Sequence, residues 1–251
     1  MTTLAELIAA EAEAFGARSG RPLPARADGV RAFLPESGPP LALIAEYKRS
    51  SPSHGPFAPQ RVGPAVRRFE ELGASAVSVL VAERGFDGSL ADLAEARAAT
   101  SLPLLLKGFV SLPGQIDEAC AHGADAVLLI ARVLGAALGD FVRRVRSVGL
   151  EPLVEAHDAA ELAAALRTGA RCIGINNRDL GSLRTDTSLF LRLAPLAPAG
   201  AMLVAESGYR RSADIRAAQR AGARAVLIGE GLLDPAGGTP ASWAEVTADV
   251  G

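Results

Sequence analysis

Short apolar runs recur along the chain at regular intervals, and each is too short to form a helix by itself. Four of them follow a Gly-Ala pair that closes a helix-like stretch: AVSVL (76–80), AVLLI (126–130), CIGI (172–175) and AVLI (225–228). These four lack polar alternation, which is typical of strands buried on both faces. Four further strand candidates lie midway between them: LALIAEY (41–47), PLLLK (103–107), EPLVEA (151–156) and AMLVAE (201–206).

The Gly-Ala pairs belong to an internal repeat of the form Gly-Ala-x-[Ala/Cys]-[Val/Ile]. Its four copies begin at Gly73, Gly123, Gly169 and Gly222, so that consecutive copies are 50, 46 and 53 residues apart. A glycine in this place fits the position just beyond a helix, where the left-handed conformation carries no steric cost for glycine. Each period therefore predicts two strand–helix units rather than one.

Amphipathic stretches with helical spacing separate the predicted strands. Examples are 61–72, 90–99, 115–122, 138–148, 158–168 and 212–221, and the full count is eight strands alternating with eight helical connections. Strict alternation of strand and helix indicates a parallel sheet with right-handed crossovers, and eight units in about 210 residues favour a single (β/α)8 TIM barrel. The alternative is an open α/β sheet, against which we note that no strand is followed by GxGxxG.

We divide the chain into an N-terminal extension, residues 1–40, and a barrel domain, residues 41–251. The segment Thr3–Phe15 is predicted to be a helix because Leu4, Leu7 and Ile8 share one face. Residues 18–40 are rich in Gly, Pro and Arg. The extension either covers one end of the barrel or acts as a lid beside the active site.

Composition excludes several classes of protein. The net charge of −2 argues against a nucleic-acid partner, and no apolar stretch is long enough to span a membrane. The early acidic residues do not fit a secretory signal, and Cys120 and Cys172 show no disulfide spacing, so we expect a cytoplasmic protein. His54, His122 and His157 have no metal-ligand spacing, and we predict no metal site. The sequence leaves both a monomer and a homo-oligomer open.

Lysine is rare in this chain, and its two occurrences have informative positions. Of 26 basic residues only Lys48 and Lys107 are lysine, and they follow strands 1 and 3 of the predicted barrel. Active sites of such barrels lie at the carboxyl ends of the strands. Burial can lower the pKa of a lysine into the range useful for proton transfer, whereas arginine stays charged. A buried ion pair between Lys48 and Glu46 is the structural alternative.

Other strand ends supply carboxylates, phenyl rings and turn glycines. Glu46, Glu155 and Glu206 complete a set suited to proton transfer. Phe86 and Phe109 follow strands 2 and 3, where they either pack in the core or form a wall for an aromatic ring. The turns after strands 7 and 8, Ser207-Gly208 and Gly229-Glu230, lie where this fold often binds phosphate, although plain loop glycines are the alternative.

Together these segments resemble the indole-3-glycerol phosphate synthase family. The resemblance covers nearly all of residues 40–235 and lies in segments that follow the same order: IAEYKRSSPS (44–53), SVL and FDGSL (78–80, 86–90), LPLLLKGF (102–109), QIDEACAHGADAVLLI (115–130), EPLVEAHD (151–158), IGINNRDL (173–180), VAESGY (204–209) and VLIGEGLL (226–233). It implies a reaction that needs no cofactor. The phosphorylated small-molecule substrate would be 1-(2-carboxyphenylamino)-1-deoxyribulose 5-phosphate, converted to indole-3-glycerol phosphate, carbon dioxide and water.

The resemblance also implies residue roles. Lys107 would be the general acid at the ribulose carbonyl, Lys48 would hold the substrate carboxylate, and Glu155 would be the acid/base of the dehydration. Glu46 would orient the lysine. The implied substrate-binding residues are Asn176, Arg178, Glu206 and Ser207 on the polar side, Pro52, Phe86, Phe109 and Leu128 around the anthranilate ring, and Ser51, Gly208, Gly229 and Glu230 at the phosphate.

Two features depart from the family pattern. Gly108 stands where the family usually has Asp after the lysine, and Gly85 stands where an aromatic residue often precedes the phenylalanine. These changes leave two alternatives open. One is a related lyase acting on a ring-substituted aryl-amino ribulose phosphate, and the other is a barrel that binds phosphorylated metabolites without catalysis.

Overall fold

Eight parallel strands close into a barrel in the computed structural model, which describes residues 3–51, 55–57, 61–229, 232 and 243. The strands are β1 (Ala42–Tyr47), β2 (Ala76–Leu80), β3 (Leu104–Lys107), β4 (Ala126–Ile130), β5 (Glu151–Ala156), β6 (Cys172–Asn176), β7 (Met202–Glu206) and β8 (Ala223–Ile228). Each pairs with its neighbour in sequence, and β1 closes the ring by pairing with β8. The predicted TIM barrel is confirmed, and the open sheet is wrong.

Helices connect the strands in the predicted alternation. They are α1 (Leu4–Arg18), α2 (Val62–Glu71), α3 (Leu90–Ala99), α4 (Gly114–Ala121), α5 (Ala131–Leu134), α6 (Leu138–Ser147), α7 (Ala159–Arg167), α8 (Ser188–Leu193) and α9 (Ser212–Arg220). Helix α8 occupies the helical connection expected between β6 and β7. The short helix α5 was not predicted, and neither was an antiparallel pair, Ser50–Ser51 with Gly55–Pro56, after β1. After β8, the structure describes only Gly229, Leu232 and Trp243.

The four repeat glycines have the conformation that their position predicts. Gly73, Gly123, Gly169 and Gly222 have φ values of 88°, 93°, 69° and 104°. Each lies one residue beyond the last helical cap residue and directs the chain into the next strand. An L side chain at these positions would be strained, so the glycines end the helices and set the start of the strands.

Apolar side chains form two cores, one on each side of the barrel wall. The outer core lies between strands and helices and includes Val66, Phe69 and Val142. The inner core fills the barrel with smaller and medium-sized side chains, such as Leu105 and Leu153. Because most strand residues are buried on one side or the other of the barrel wall, the strands consist largely of apolar residues.

The N-terminal extension contacts both ends of the barrel. Helix α1 begins with a capping box between Thr3 and Glu6, and its Leu7 is buried in the inner core at the carboxyl end of the strands. At the opposite end, Phe33 and Leu34 are buried against the inner core, and Arg171 donates hydrogen bonds to their carbonyls. The extension is therefore more than a cover for one end. The domain division at residue 40 stays a prediction.

None of the helices in the described part of the chain has both the length and the apolar character needed to cross a bilayer.

Candidate active site

A cavity of about 380 Å³ opens at the carboxyl ends of the strands. This volume lies within the range of small-molecule sites. Thirteen of the sixteen residues singled out from the sequence line it: Glu46, Lys48, Ser51, Phe86, Lys107, Phe109, Leu128, Glu155, Asn176, Arg178, Ser207, Gly208 and Gly229.

The remaining three are Glu206, Pro52 and Glu230. Glu206 is fully buried and does not line the cavity, contrary to the expectation that it would lie along its polar side. Its carboxylate instead lies behind Lys107 and contacts the ammonium group. Pro52 and Glu230 lie outside the described residues, as does His54.

Both lysines are tied to the same carboxylate at the floor of the cavity. Glu46 Oε1 lies 3.1 Å from Lys48 Nζ, and Glu46 Oε2 lies 3.2 Å from Lys107 Nζ. Lys107 Nζ also donates a hydrogen bond of 2.9 Å to Glu206 Oε2. The ion pair between Glu46 and Lys48 considered from the sequence is present, but it belongs to a larger cluster that faces the cavity.

Gly174 in β6 and Gly229, which directly follows β8, make room for this cluster. A Cβ atom on Gly229 would lie 2.6 Å from Glu46 Oε1 and 3.2 Å from Lys48 Nζ. A Cβ atom on Gly174 would lie 2.1 Å from Glu206 Oε1. Neither glycine has a left-handed backbone. Glycine is required at both positions because a neighbouring side chain approaches the backbone closely.

The charges in the cluster shift the pKa values of its members. Burial alone would raise the pKa of Glu46, but the ammonium groups of Lys107 and Lys48 bring it to about 2. Burial alone would lower the pKa of Lys107. The carboxylates of Glu206, Glu46 and Glu155 outweigh it and hold that pKa above its usual range. The expectation that burial lowers the pKa of this lysine is therefore wrong, because the charges of three glutamates outweigh the effect of burial.

Glu155 and Glu206 form a pair of carboxyl groups with opposite shifts. Burial raises the pKa of Glu206, and the negative charge of the nearby Glu155 raises it further. The positive charge of Lys107 lowers this pKa, but by less than the other two effects raise it. Burial would also raise the pKa of Glu155, but a hydrogen bond from His157 and the charges of His157 and Lys107 lower it. The two pKa values are therefore moved apart, and Glu155 is the more acidic member of the pair.

One wall of the cavity is apolar. The rings of Phe86 and Phe109 lie 6.1 Å apart at an angle of 43°, a tilted arrangement in the favourable range for aromatic pairs. Leu128 from β4 and Leu4 and Leu7 from α1 extend this wall. The wall can hold a flat aromatic ring beside the two lysines.

The turn after β7 forms the polar end. Ser207 and Gly208 have consecutive left-handed φ values of 62° and 85°. Gly208 is needed there because its Cβ atom would lie 2.5 Å from Thr185 Cγ2. Such turns expose backbone N–H groups and can bind anions.

The sequence reasoning missed several lining residues. They are Leu4 and Leu7 of α1; Leu180, Leu183, Thr185 and Thr187 in the segment between β6 and α8; and Tyr209 and Arg210 after β7. A helical apolar face was visible around Leu4 and Leu7, but nothing in it showed which end of the barrel it would meet. The described residues contain no group of three or more His, Cys, Asp or Glu able to hold a metal ion.

Comparisons with known proteins agree with the geometry. The family model described as "Indole-3-glycerol phosphate synthase" matches residues 13–239. The indole-3-glycerol phosphate synthase of Mycobacterium avium (strain 104) is 47% identical over 209 residues, which cover 81% of this chain and 75% of that protein. The one from Mycobacteroides abscessus is 48% identical over 214 residues, covering 83% and 78%.

A solved structure shows the fold alone. The N-acetylmannosamine-6-phosphate 2-epimerase of Clostridium perfringens superimposes with a TM-score of 0.61 at 16% identity, covering 78% of this chain and 89% of that one.

Proposed function

The chain belongs to the indole-3-glycerol phosphate synthase family, and from that premise we propose how its cavity performs the family's reaction. That activity is a carboxy-lyase reaction of tryptophan biosynthesis. The substrate is 1-(2-carboxyphenylamino)-1-deoxyribulose 5-phosphate. The observation that carries the proposal is the cluster of two lysines and three glutamates at the mouth of the barrel.

Lys107 is the general acid of ring closure. The aryl carbon that bears the carboxylate attacks the ribulose carbonyl carbon, and the carbonyl oxygen takes a proton from Lys107 Nζ. Glu46 and Glu206 aim this ammonium through contacts of 3.2 and 2.9 Å. Its raised pKa keeps the proton in place until the carbonyl oxygen becomes an alkoxide, which is a far stronger base than a ketone.

Lys48 holds the substrate carboxylate until it leaves. The ammonium is buried and contacts Glu46, so a second anion finds a positive charge with little water around it. Loss of carbon dioxide returns its bonding electrons to the ring and restores aromaticity. Glu46, ionised at every working pH, keeps both ammonium groups in position.

Glu155 acts in the dehydration. It takes a proton from the ring carbon next to the carbon that bears the hydroxyl. The hydroxyl leaves as water with a proton from a neighbouring ammonium, and the carbon–carbon double bond of the indole forms. The pKa of Glu155 is lowered, so the carboxylate is ionised and ready to accept that proton.

The two ends of the cavity hold the substrate in a folded shape. Phe86, Phe109 and Leu128 enclose the anthranilate ring, and we keep Pro52 in that group as a prediction from the family pattern. Ser51, Ser207, Gly208 and Gly229 bind the phosphate, with Glu230 contributing its backbone N–H. Holding both ends brings the reacting carbons together, and such positioning is worth at most about 7–11 kcal/mol.

Asn176 and Arg178 complete the polar side. Asn176 Oδ1 accepts a hydrogen bond of 3.0 Å from the backbone N–H of Arg178, which fixes the start of the segment after β6. Both side chains line the cavity. We place the reaction in the cytoplasm, since both cysteines are free thiols.

The Lys107→Arg variant tests the acid. Arginine keeps the charge, but its larger planar guanidinium cannot place a proton donor where Lys107 Nζ lies between Glu46 and Glu206. We therefore expect kcat to fall by roughly 10²- to 10⁴-fold while the variant stays folded. Indole fluorescence measures turnover, and substrate binding measured by calorimetry is the control. Near-normal kcat in this variant would remove Lys107 from the acid role.

A further inference from the structure

A buried histidine stands directly behind Glu155, and nothing in the reaction described above uses it. His157 is the second residue after Glu155, and its side chain is 2% exposed. Its Nε2 atom lies 3.2 Å from Glu155 Oε1. This 3.2 Å contact is an ion pair when the imidazole is protonated, and it brings a positive charge directly to the buried carboxylate.

The other side of the imidazole is held by an acidic residue. Glu161 Oε2 lies 3.0 Å from His157 Nδ1 and also accepts the backbone N–H of His157 at 2.8 Å. Glu161 lies in the first turn of α7, and its second oxygen accepts a hydrogen bond from Arg132 of α5. Arg132, Glu161, His157 and Glu155 therefore form a continuous chain from the outside of the barrel to the cavity.

This arrangement fixes both the tautomer and the charge of the histidine. A carboxylate on each ring nitrogen requires both nitrogens to be donors, which describes the imidazolium form. Burial would lower the pKa of His157, but the two carboxylates raise it to about 9. The other charged groups facing Glu155 are Lys107 from β3 and Glu206 from β7.

We propose that His157 is a positioning residue for Glu155: the imidazolium, held by Glu161 and Arg132, fixes the Glu155 carboxylate and keeps it negatively charged for the dehydration. The inference rests on the proposed function, because it concerns the step assigned there to Glu155. Without the imidazolium, Glu155 would be buried beside Glu206 with only Lys107 to favour its charge. Burial would then favour its protonated form, which cannot accept the proton.

The test separates the steps of one turnover in the full-length protein. Carbon dioxide release from carboxyl-labelled substrate reports ring closure and decarboxylation, and indole fluorescence reports the dehydration. In His157→Gln we expect carbon dioxide release to keep the wild-type rate and indole formation to lag behind it. The lag should grow as the pH falls, with the acid limb moved up by roughly one pH unit or more.

Two variants accompany it. Glu161→Gln removes the negative partner of Nδ1, and we expect the same lag with a smaller shift. His122→Gln makes the same substitution at a histidine on the C-terminal cap of α4, where Nδ1 contacts the Glu118 carbonyl, and both signals should match the wild type.

The outcomes distinguish the two proposals. If the wild type itself releases no carbon dioxide and forms no indole, the proposed function fails. If the wild type turns over but His157→Gln slows both signals equally at every pH, or leaves both unchanged, the positioning role is wrong. If His157→Gln does not fold, the same comparison is made with Glu161→Gln, which leaves the histidine in place.

Discussion

At the scale of single residues, the site depends on two glycines as much as on its charged side chains. Glu46 and Lys48 fit side by side because Gly229 has no side chain that would occupy the space beside them. Gly174 does the same for Glu206. These glycines carry no reactive group, so a search for chemistry in the sequence does not select Gly174.

Gly174→Ala should therefore damage catalysis from within the barrel wall. The new methyl group would overlap Glu206 Oε1 and move the carboxylate that aims Lys107, so we expect a large fall in kcat. Overpacking should also cost about 1–3 kcal/mol of unfolding free energy. Steady-state kinetics and urea denaturation measure the two effects.

Gly139→Ala is its matched control. Gly139 lies in α6, and its Cβ would meet only the tip of Arg143 at 3.6 Å. This variant should keep kcat and gain roughly 0.5–1 kcal/mol of stability, because alanine favours a helix. Wild-type kcat in Gly174→Ala would show that Glu206 does not position Lys107.

Gly108, which stands where the family usually has aspartate, lies among acidic residues. Its Cβ would lie 3.3 Å from Val81 Cγ2, so a side chain needs only a small adjustment. A small neighbouring cavity that it lines already contains Glu11, Glu83 and Glu118, with Arg18 bound to the last two.

We accordingly expect Gly108→Asp to leave kcat and substrate preference unchanged and to lower the melting temperature. A fourth carboxylate there would meet like charges, with the one arginine already paired. Thermal unfolding and kinetics with the unsubstituted substrate and a ring-substituted analogue measure the effect. A clear rise in kcat would mean that the missing aspartate limits this protein.

At the scale of elements, the N-terminal extension is bound to the barrel by a buried carboxylate, that of Asp125. Asp125, which precedes β4, is completely buried and binds Arg26 and Arg97 at 2.7 and 3.1 Å. It also accepts the backbone N–H groups of Arg31 and Leu104. One carboxylate thus joins the extension, α3 and β3 at the end of the barrel opposite the active site.

Asp125→Ala should be strongly destabilising. It would remove the buried carboxylate that Arg26 and Arg97 share and leave them only the half-buried Asp28 as an acidic partner. Breaking a buried pair from one side costs about 3–5 kcal/mol. Urea denaturation gives the free energy of unfolding. Asp140→Ala removes the partner of Arg143 in an exposed pair and should leave the midpoint unchanged. Equal effects in the two variants would contradict the role given to Asp125.

At the scale of the whole molecule, the barrel was predictable because its signals are local. The repeat glycines and the apolar runs each reflect one helix end or one strand, and their order sets the topology. The place of α1 was not predictable, because the face around Leu7 fits either end of a barrel equally well. The raised pKa of Lys107 was also not predictable from the sequence, because it depends on a contact with Glu206, which lies 99 residues away in the chain.

The most direct test of the account is a turnover measurement with purified protein and unsubstituted 1-(2-carboxyphenylamino)-1-deoxyribulose 5-phosphate, following indole fluorescence for the wild type and Lys107→Arg in parallel. The account predicts sustained formation of indole-3-glycerol phosphate by the wild type and near-complete loss in the variant. Tight substrate binding without any indole signal from the wild type, or a signal only with a ring-substituted analogue, would contradict it.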